Sequence, residues 1–468
     1  MKERVGLWIL TLLITVTCAA VIADAQSNVD IPTGVVKESV TVRDKPGQSY
    51  CIYLPKSYSA EKRWPIIYIF DPMGRGNLAV DKYHSVAEKY GFVLVGSNNS
   101  RNGLQWDDIR SIIQDLWSDT HVKFSVDTQR TYAAGFSGGA RVASLAAILC
   151  GSCIAGVIAS GAGFSPAITI NPKIGFDFFG AVGLDDYNYP ELIKLKDSLG
   201  KLGISSHLAF FDGVHQWMPA ETFDSAVVWM NIRSMKNGTL PRDEKLISEQ
   251  INARSGETDK VASTGHLLFA VREYQSLNDD FEGLANTSAY SRKADQIASL
   301  PQFKTAAKAE TDALERQASD ARKLMATIDQ TPNDQGPHLS ASLMISDLEK
   351  RASSADEAVR HVARRTLAQV YAESLESAMF TYEPQKQYDL AIANLRLSTQ
   401  VSPKNWYAMY QLGRAYALDH RRKNAVDAIE RSIELGLRDR ALIEKDEAFS
   451  EIRGSDDFQK LLLKVRQQ

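Results

Sequence analysis

The chain has 468 residues, 44% of them hydrophobic, with 54 Lys and Arg against 57 Asp and Glu for a formal net charge of −3. That length buries more than one core, and so even a charge balance excludes the electrostatic signature of a nucleic-acid binder. The basic clusters Arg360, Arg364 and Arg365, and His420, Arg421, Arg422 and Lys423, fall in helical periodicity and read as solvated faces.

Lys2 and Arg4 precede an apolar run at 5–16, and Ala23 and Ala25 put small residues where a signal peptidase needs them. Residues 1–25 therefore read as a secretory signal peptide whose apolar core is too short for a comfortable membrane span. Export to a bacterial periplasm or beyond is the expectation, with no stable membrane span once the signal is cleaved. Thr17 before Cys18 fits a lipid-attachment box poorly. Cleavage leaves Cys51, Cys150 and Cys153, so one pair and one free thiol is the natural arithmetic in an oxidising compartment. The short spacing of Cys150 and Cys153 suits a local bridge.

Alternating residues at 36–42 and the run at 50–54, separated by Asp44, Lys45, Pro46 and Gly47, predict two strands. Residues 66–70 are apolar throughout, as expected of a strand covered on both faces. A glycine-bearing loop follows at 71–76, then a helix around 80–90, a strand at 92–96 and a helix at about 106–121. Further buried strands are expected at 154–159 and 176–182, a helix at 190–199, and a last strand at 206–211. This alternation predicts an α/β fold with a mostly parallel sheet and helices on both faces. Ligands of such sheets bind outside the carboxyl ends of the strands.

Residues 131–143 read as strand, cramped turn and small-residue helix, with Ser137 at the turn between Gly135 and Gly139. A serine there leaves the regular backbone and presents its hydroxyl, while the new helix points amides at any negative charge. Downstream, Asp185 and Asp186 follow one strand and His215 follows the last. The order serine, aspartate, histidine, each just past a strand, is similar to the chain order of the α/β-hydrolase triad, in which these are nucleophile, orienting acid and general base. His207 falls within a strand and is expected to be packed, so His215 is the preferred base. Asp186 is the preferred acid, with Asp185 the alternative.

With Gly135, Ser137, Gly138, Gly139 and Arg141, then Gly183, Leu184, Asp185 and Asp186, then Gly213, Val214, His215, Gln216 and Trp217, and with Asn102 and Gly103, residues 34–235 resemble the secreted esterase branch of the α/β-hydrolases. That branch contains the feruloyl esterases and poly(3-hydroxybutyrate) depolymerases. The resemblance implies an eight-stranded sheet, no metal or cofactor, and acyl transfer through a serine ester. Ser137, Asp186 and His215 would be catalytic, with the Gly138 amide in the oxyanion hole. The common His-Gly pair of the other oxyanion loop is replaced by Asp71 and Pro72. Proline has no N–H to offer, so Met73 is the expected second donor, with Gly74 behind it. Trp106 and Trp217 are candidates to line the substrate pocket. Arg75 and Arg141 are candidates for a substrate carboxylate; the alternatives are a loop-surface charge for Arg75 and a structural residue of the elbow helix for Arg141.

Past Asn237 and Gly238 the apolar strand runs end, and the chain becomes charged, alanine-rich and helical in period. The expected division is 1–25 signal peptide, 26–236 α/β-hydrolase domain, 237–335 helical linker and 336–468 helical repeats, with a break at 331–337. Tyr382, Ala391, Leu395 and Ser398 recur 34 residues later as Tyr416, Ala425, Ile429 and Ser432. This spacing resembles tetratricopeptide repeats, which bind a protein or peptide partner or pack as a cap. The expected function is a secreted serine esterase acting on a small-molecule or polymer-linked ester. A serine peptidase of the same fold, and a catalytically weak scaffold acting through its repeats, are the alternatives.

Overall fold

The protein is described by a computed structural model over residues 31–165, 168–171, 173–328 and 339–465. The expected signal segment 1–25 and the break at 331–337 lie outside these described residues. The chain forms two compact units. One takes the chain through Gly183, then Glu191–Phe211 and Gln216–Asp295; the other takes Leu184–Pro190, Asp212–His215 and everything from Gln296.

The first unit is built on β1 (Val36–Val42), β2 (Lys45–Tyr53), β3 (Trp64–Phe70), α1 (Gly76–Tyr90), β4 (Val93–Ser97), α2 (Trp106–Lys123), β5 (Val126–Phe136), α3 (Gly138–Leu149), β6 (Gly156–Ser160), β7 (Asp177–Gly183), α4 (Tyr189–Lys201), β8 (Ser206–Phe211), α5 (Ala220–Lys236), α6 (Glu244–Ser263) and α7 (Leu267–Phe281). The sheet order is β1-β2-β4-β3-β5-β6-β7-β8. β2 runs antiparallel to β1 and β4, and every pairing from β4 to β8 is parallel. β3 is buried at all seven positions because it lies inside the sheet with helices on both faces, whereas the edge strand β1 is half exposed. The two faces separate along β3. Ile67 and Ile69 join the core with Tyr83 of α1 and Phe223 and Trp229 of α5, while Tyr68 meets Trp117 and Thr120 of α2. An eight-stranded, mostly parallel sheet in this order, with helices on both faces, is the α/β-hydrolase fold.

Cys150 and Cys153 form a disulfide beyond α3, and Cys51 is a buried free thiol on β2. Burial, with smaller contributions from Asp81 and Glu38, pushes the Cys51 thiol up to about 12. His207 lies within β8, 9% exposed and stacked on Phe179, as expected of a packed histidine. No helix among the described residues is long and apolar enough to cross a membrane.

The chain passes through α8 (Ser288–Ser299) into the second unit, which contains α9 (Pro301–Met325), α10 (Leu339–Arg351), α11 (Glu357–Glu376), a π-helical turn (Ser377–Tyr382), α12 (Tyr388–Val401), α13 (Trp406–Leu418), α14 (Arg422–Glu434), α15 (Arg440–Lys445) and α16 (Asp456–Lys464). Side-chain N-caps start several of these helices. Asp356 accepts from the Val359 amide, Asn405 from Tyr407 and Ala408, and Ser455 from Phe458, each worth about 1 kcal/mol. The recurring residues Ala391, Leu395 and Ser398, and Ala425, Ile429 and Ser432, are all fully buried, consistent with a repeat that packs each helix on the next. Gly413 lets α13 approach α14 closely, since a Cβ there would stand 2.7 Å from Ile429 Cδ1.

Candidate active site

β5 ends at Phe136 and α3 begins at Gly138, leaving Ser137 alone at the turn with φ 53° and ψ −122°. A non-glycine residue at positive φ with that ψ is strained and persists only where the surroundings impose it. The surroundings here are backbone. A Cβ on Gly135 would stand 2.1 Å from Gly139 O, and one on Gly139 would stand 1.9 Å from Phe70 O. Strand and helix can close on each other only without those side chains. The Ser137 N–H is fixed to Ser160 O at 2.9 Å, at the end of the neighbouring strand β6. The Ser137 hydroxyl does not cap α3, and the first amides of that helix have no intrahelical acceptor.

Asp186 and His215, the expected acid and base, belong to the second unit. Asp186 is fully buried, and its Oδ1 accepts from His215 Nδ1 at 2.9 Å and from the Asn188 N–H at 2.8 Å. Asp186 Oδ2 has no hydrogen-bond partner among the described residues. The Tyr187 ring lies 4.3 Å from the imidazole, and the Asp185 N–H donates to Gly213 O at 2.9 Å, tying the two short loops together. Of the two adjacent aspartates it is Asp186 that meets the histidine. Asp185 points elsewhere, accepting from His361 Nδ1 at 2.5 Å and Arg364 Nη1 at 2.9 Å.

The loop after β3 requires corrections to the sequence reading. Asp71 is 1% exposed, and each of its oxygens accepts two hydrogen bonds. Oδ1 takes the Met73 N–H and Arg75 Nε, both at 2.9 Å; Oδ2 takes Arg75 Nη2 at 3.1 Å and Trp217 Nε1 at 2.9 Å. The Met73 amide expected in the oxyanion hole is therefore already donated to Asp71, and the Gly74 amide is donated to Asp71 O at 3.1 Å. Arg75, its side chain half exposed, engages Asp71 through Nε and Nη2. Trp217 is 6% exposed and packs against Phe136 at the end of β5 and against Tyr83. Trp106 opens α2 and is 46% exposed. Arg141 is structural, holding Glu191 at 3.0 and 2.8 Å and Phe164 O at 2.7 Å.

Two features escaped the sequence reading. Asn102 is fixed by its N–H to Pro72 O at 2.8 Å, and its carboxamide lies directly against Gly138: a Cβ on Gly138 would stand 1.8 Å from Asn102 Oδ1 and 3.1 Å from Nδ2. Nothing in the spacing of Asn102 signals this approach. Arg365, read as part of a solvated face, is 6% exposed. A signal did exist: no carboxylate stands three or four residues from Arg364 or Arg365, so neither cation has an intrahelical partner. Among the described residues no cluster of His, Cys, Asp and Glu could hold a metal ion.

No family model matches the chain, and no curated protein does. Among solved structures, the chain is similar to the apoenzyme of an S-formylglutathione hydrolase from Staphylococcus aureus, at 13% identity and a TM-score of 0.36 over 43% of this chain and 98% of that one. It is similar to a substrate-bound fluorophosphonate-binding serine hydrolase of the same organism, at 14% identity and a TM-score of 0.37 over 42% and 98%. A feruloyl esterase module from Clostridium thermocellum, complexed with sinapinate, matches at 14% identity and a TM-score of 0.34 over 41% and 87%. Each likeness spans less than half of this chain.

Proposed function

We propose that the protein is a serine hydrolase that cleaves carboxylic esters through an acyl-enzyme. The observation that carries this reading is Ser137 held at φ 53° between β5 and α3, a strained turn of the kind that presents a hydroxyl. The bond between buried Asp186 and His215 supports it, since a histidine whose Nδ1–H is engaged by a carboxylate keeps Nε2 as the proton acceptor. In this reading His215 Nε2 takes the Ser137 proton as Oγ attacks the ester carbonyl. The tetrahedral oxyanion forms, and collapse expels the alcohol, which leaves with the proton returned by His215. Water, deprotonated by His215, then releases the carboxylic acid and restores Ser137.

The Gly138 amide is the first oxyanion donor. For the second, the reading turns from Met73, whose amide is donated to Asp71, to the Asn102 carboxamide, which lies beside Gly138 with Oδ1 nearer than Nδ2 and would donate from Nδ2. The disulfide between Cys150 and Cys153 and the leader-like sequence at 1–25 support an exported enzyme. The test is labelling of the full-length mature chain by a fluorophosphonate, compared with Ser137→Ala. Labelling of the wild type alone is expected; a folded wild type that does not label defeats the proposal. Turnover of short p-nitrophenyl esters against aminoacyl amides then separates esterase from peptidase.

A further inference from the structure

The loop that carries Asp186 is held by the helices that follow it by more than a hundred residues. Within the second unit, Arg365 of α11 donates from Nη1 to Leu184 O at 3.1 Å and from Nε to Gln317 Oε1 at 3.0 Å. Gln317 of α9, 1% exposed, donates from Nε2 to Tyr187 O at 3.0 Å. Carbonyls on both sides of Asp186 are thus pinned through one buried arginine and one buried glutamine. The Tyr189 hydroxyl donates to Glu310 of α9 at 3.1 Å, and the Arg365 guanidinium lies 4.4 Å from the centre of the Tyr189 ring. Asp185 is clasped by His361 and Arg364 of α11 at 2.5 and 2.9 Å.

The physical need is plain. Two adjacent carboxylates in a short loop repel each other, and Asp186 is fully buried with one oxygen unpartnered among the described residues. A loop of that kind has no core of its own to fix its backbone. Burial weakens the hold of the Arg365 guanidinium on its proton and prevails over Tyr189, Asp185, Glu310 and Asp186, which act the other way. Gln317 completes the arrangement by bridging the guanidinium and the loop.

We infer that Arg365 and Gln317, together with Asp185 and its partners His361 and Arg364, are positioning residues for Asp186, which makes the helical unit a working part of the hydrolase and not only a docking module. The inference rests on the proposed roles of Asp186 and His215. Its content is that the acid of the triad is aimed by α9 and α11.

A double-mutant cycle in the full-length chain tests it, with p-nitrophenyl acetate as substrate. Arg365→Met should lower kcat about 100-fold with little change in KM, the penalty of a misaimed catalytic group. Arg365→Lys should recover part of that loss. In the Asp186→Asn background, Arg365→Met should cost almost nothing more, because the arginine acts through the carboxylate that is already disabled. A merely structural arginine would cost as much in the Asp186→Asn background as in the wild type and would not be rescued in kcat alone by Arg365→Lys. Arg364→Gln, at a half-exposed position, is the second variant should Arg365→Met fail to fold, with a smaller loss of the same kind expected. Equal losses from Arg365→Met in both backgrounds, or full activity in Arg365→Met and Arg364→Gln with a wild type that labels, overturn the inference alone. A wild type that neither labels nor turns over ester removes the proposed function and this inference with it.

Discussion

Replacing Ser137 by glycine and by alanine isolates the strain stored at the elbow. Both variants lack the hydroxyl, so both lose fluorophosphonate labelling, and they differ only in whether a Cβ occupies a residue at φ 53° and ψ −122°. A non-glycine residue in such a region costs about 1–3 kcal/mol. Glycine gives back about 1 kcal/mol through its greater freedom in the unfolded chain. The net expectation is that Ser137→Gly is more stable than Ser137→Ala by about 1 kcal/mol, which for a unit of this size raises Tm by about 2–4 °C. Thermal melts followed by near-ultraviolet circular dichroism read the sheet unit, where Trp64, Trp217 and Trp229 are buried. A Gly variant less stable than the Ala variant by about 1 kcal/mol, the cost of glycine at an unstrained position, would mean that no strained elbow exists, and the case for Ser137 as nucleophile would lose its main support.

Gly135→Ala drives a Cβ to 2.1 Å from Gly139 O, so it should cost about 1–3 kcal/mol in thermal stability and abolish labelling; a variant with wild-type melting and labelling contradicts the close approach. Asn102→Ala should lower kcat on p-nitrophenyl acetate about 100-fold at nearly constant KM, and an unchanged kcat returns the second oxyanion donor to the backbone. Burial by itself would raise the Asp280 carboxyl, but His207 at 3.3 Å, the charge of Arg254 and the Trp229 N–H outweigh it and hold the group below its ordinary value. A depressed carboxyl adds stability that is complete above its unfolded pKa and is lost as pH falls through the folded one. The Tm advantage of wild type over Asp280→Asn should therefore be full at pH 7 and shrink below about pH 4, and a gap that is constant down to pH 2 refutes the linkage. With its thiol pushed up to about 12, Cys51 should resist thiol reagents at pH 8 in a native chain produced without residues 1–25, and so without Cys18. Denaturation without reductant should expose one reactive thiol, and three would exclude the disulfide between Cys150 and Cys153.

Much of the architecture was legible in the sequence because it is written in local patterns. The apolar run at 66–70, the glycines flanking Ser137 and the turn at Asp44 each follow from what one short segment can do, and each stands in the structure at or within a few residues of its expected place. The resemblance favours Asp186 over Asp185 as the expected acid, but the two residues themselves do not separate, since neighbours on a loop share their local signals and differ only in which way they point.

The sequence by itself determined that the chain alternates strand and helix, that a strained serine turn follows one of those strands, that a serine, an aspartate pair and a histidine follow strand ends in that order, and that the remainder is helical. Tertiary structure decided the partners. Asp71, which reads as a defect in an oxyanion loop, accepts four hydrogen bonds and consumes the Met73 amide, Arg75 and the Trp217 indole. Asp186 meets His215 while Asp185 goes to His361 and Arg364, and Arg365, which resembles a solvated charge, is buried against Leu184 O and Gln317. The reason is physical: a polar side chain's role is set by the groups it meets across large sequence separations, and no local periodicity records those meetings.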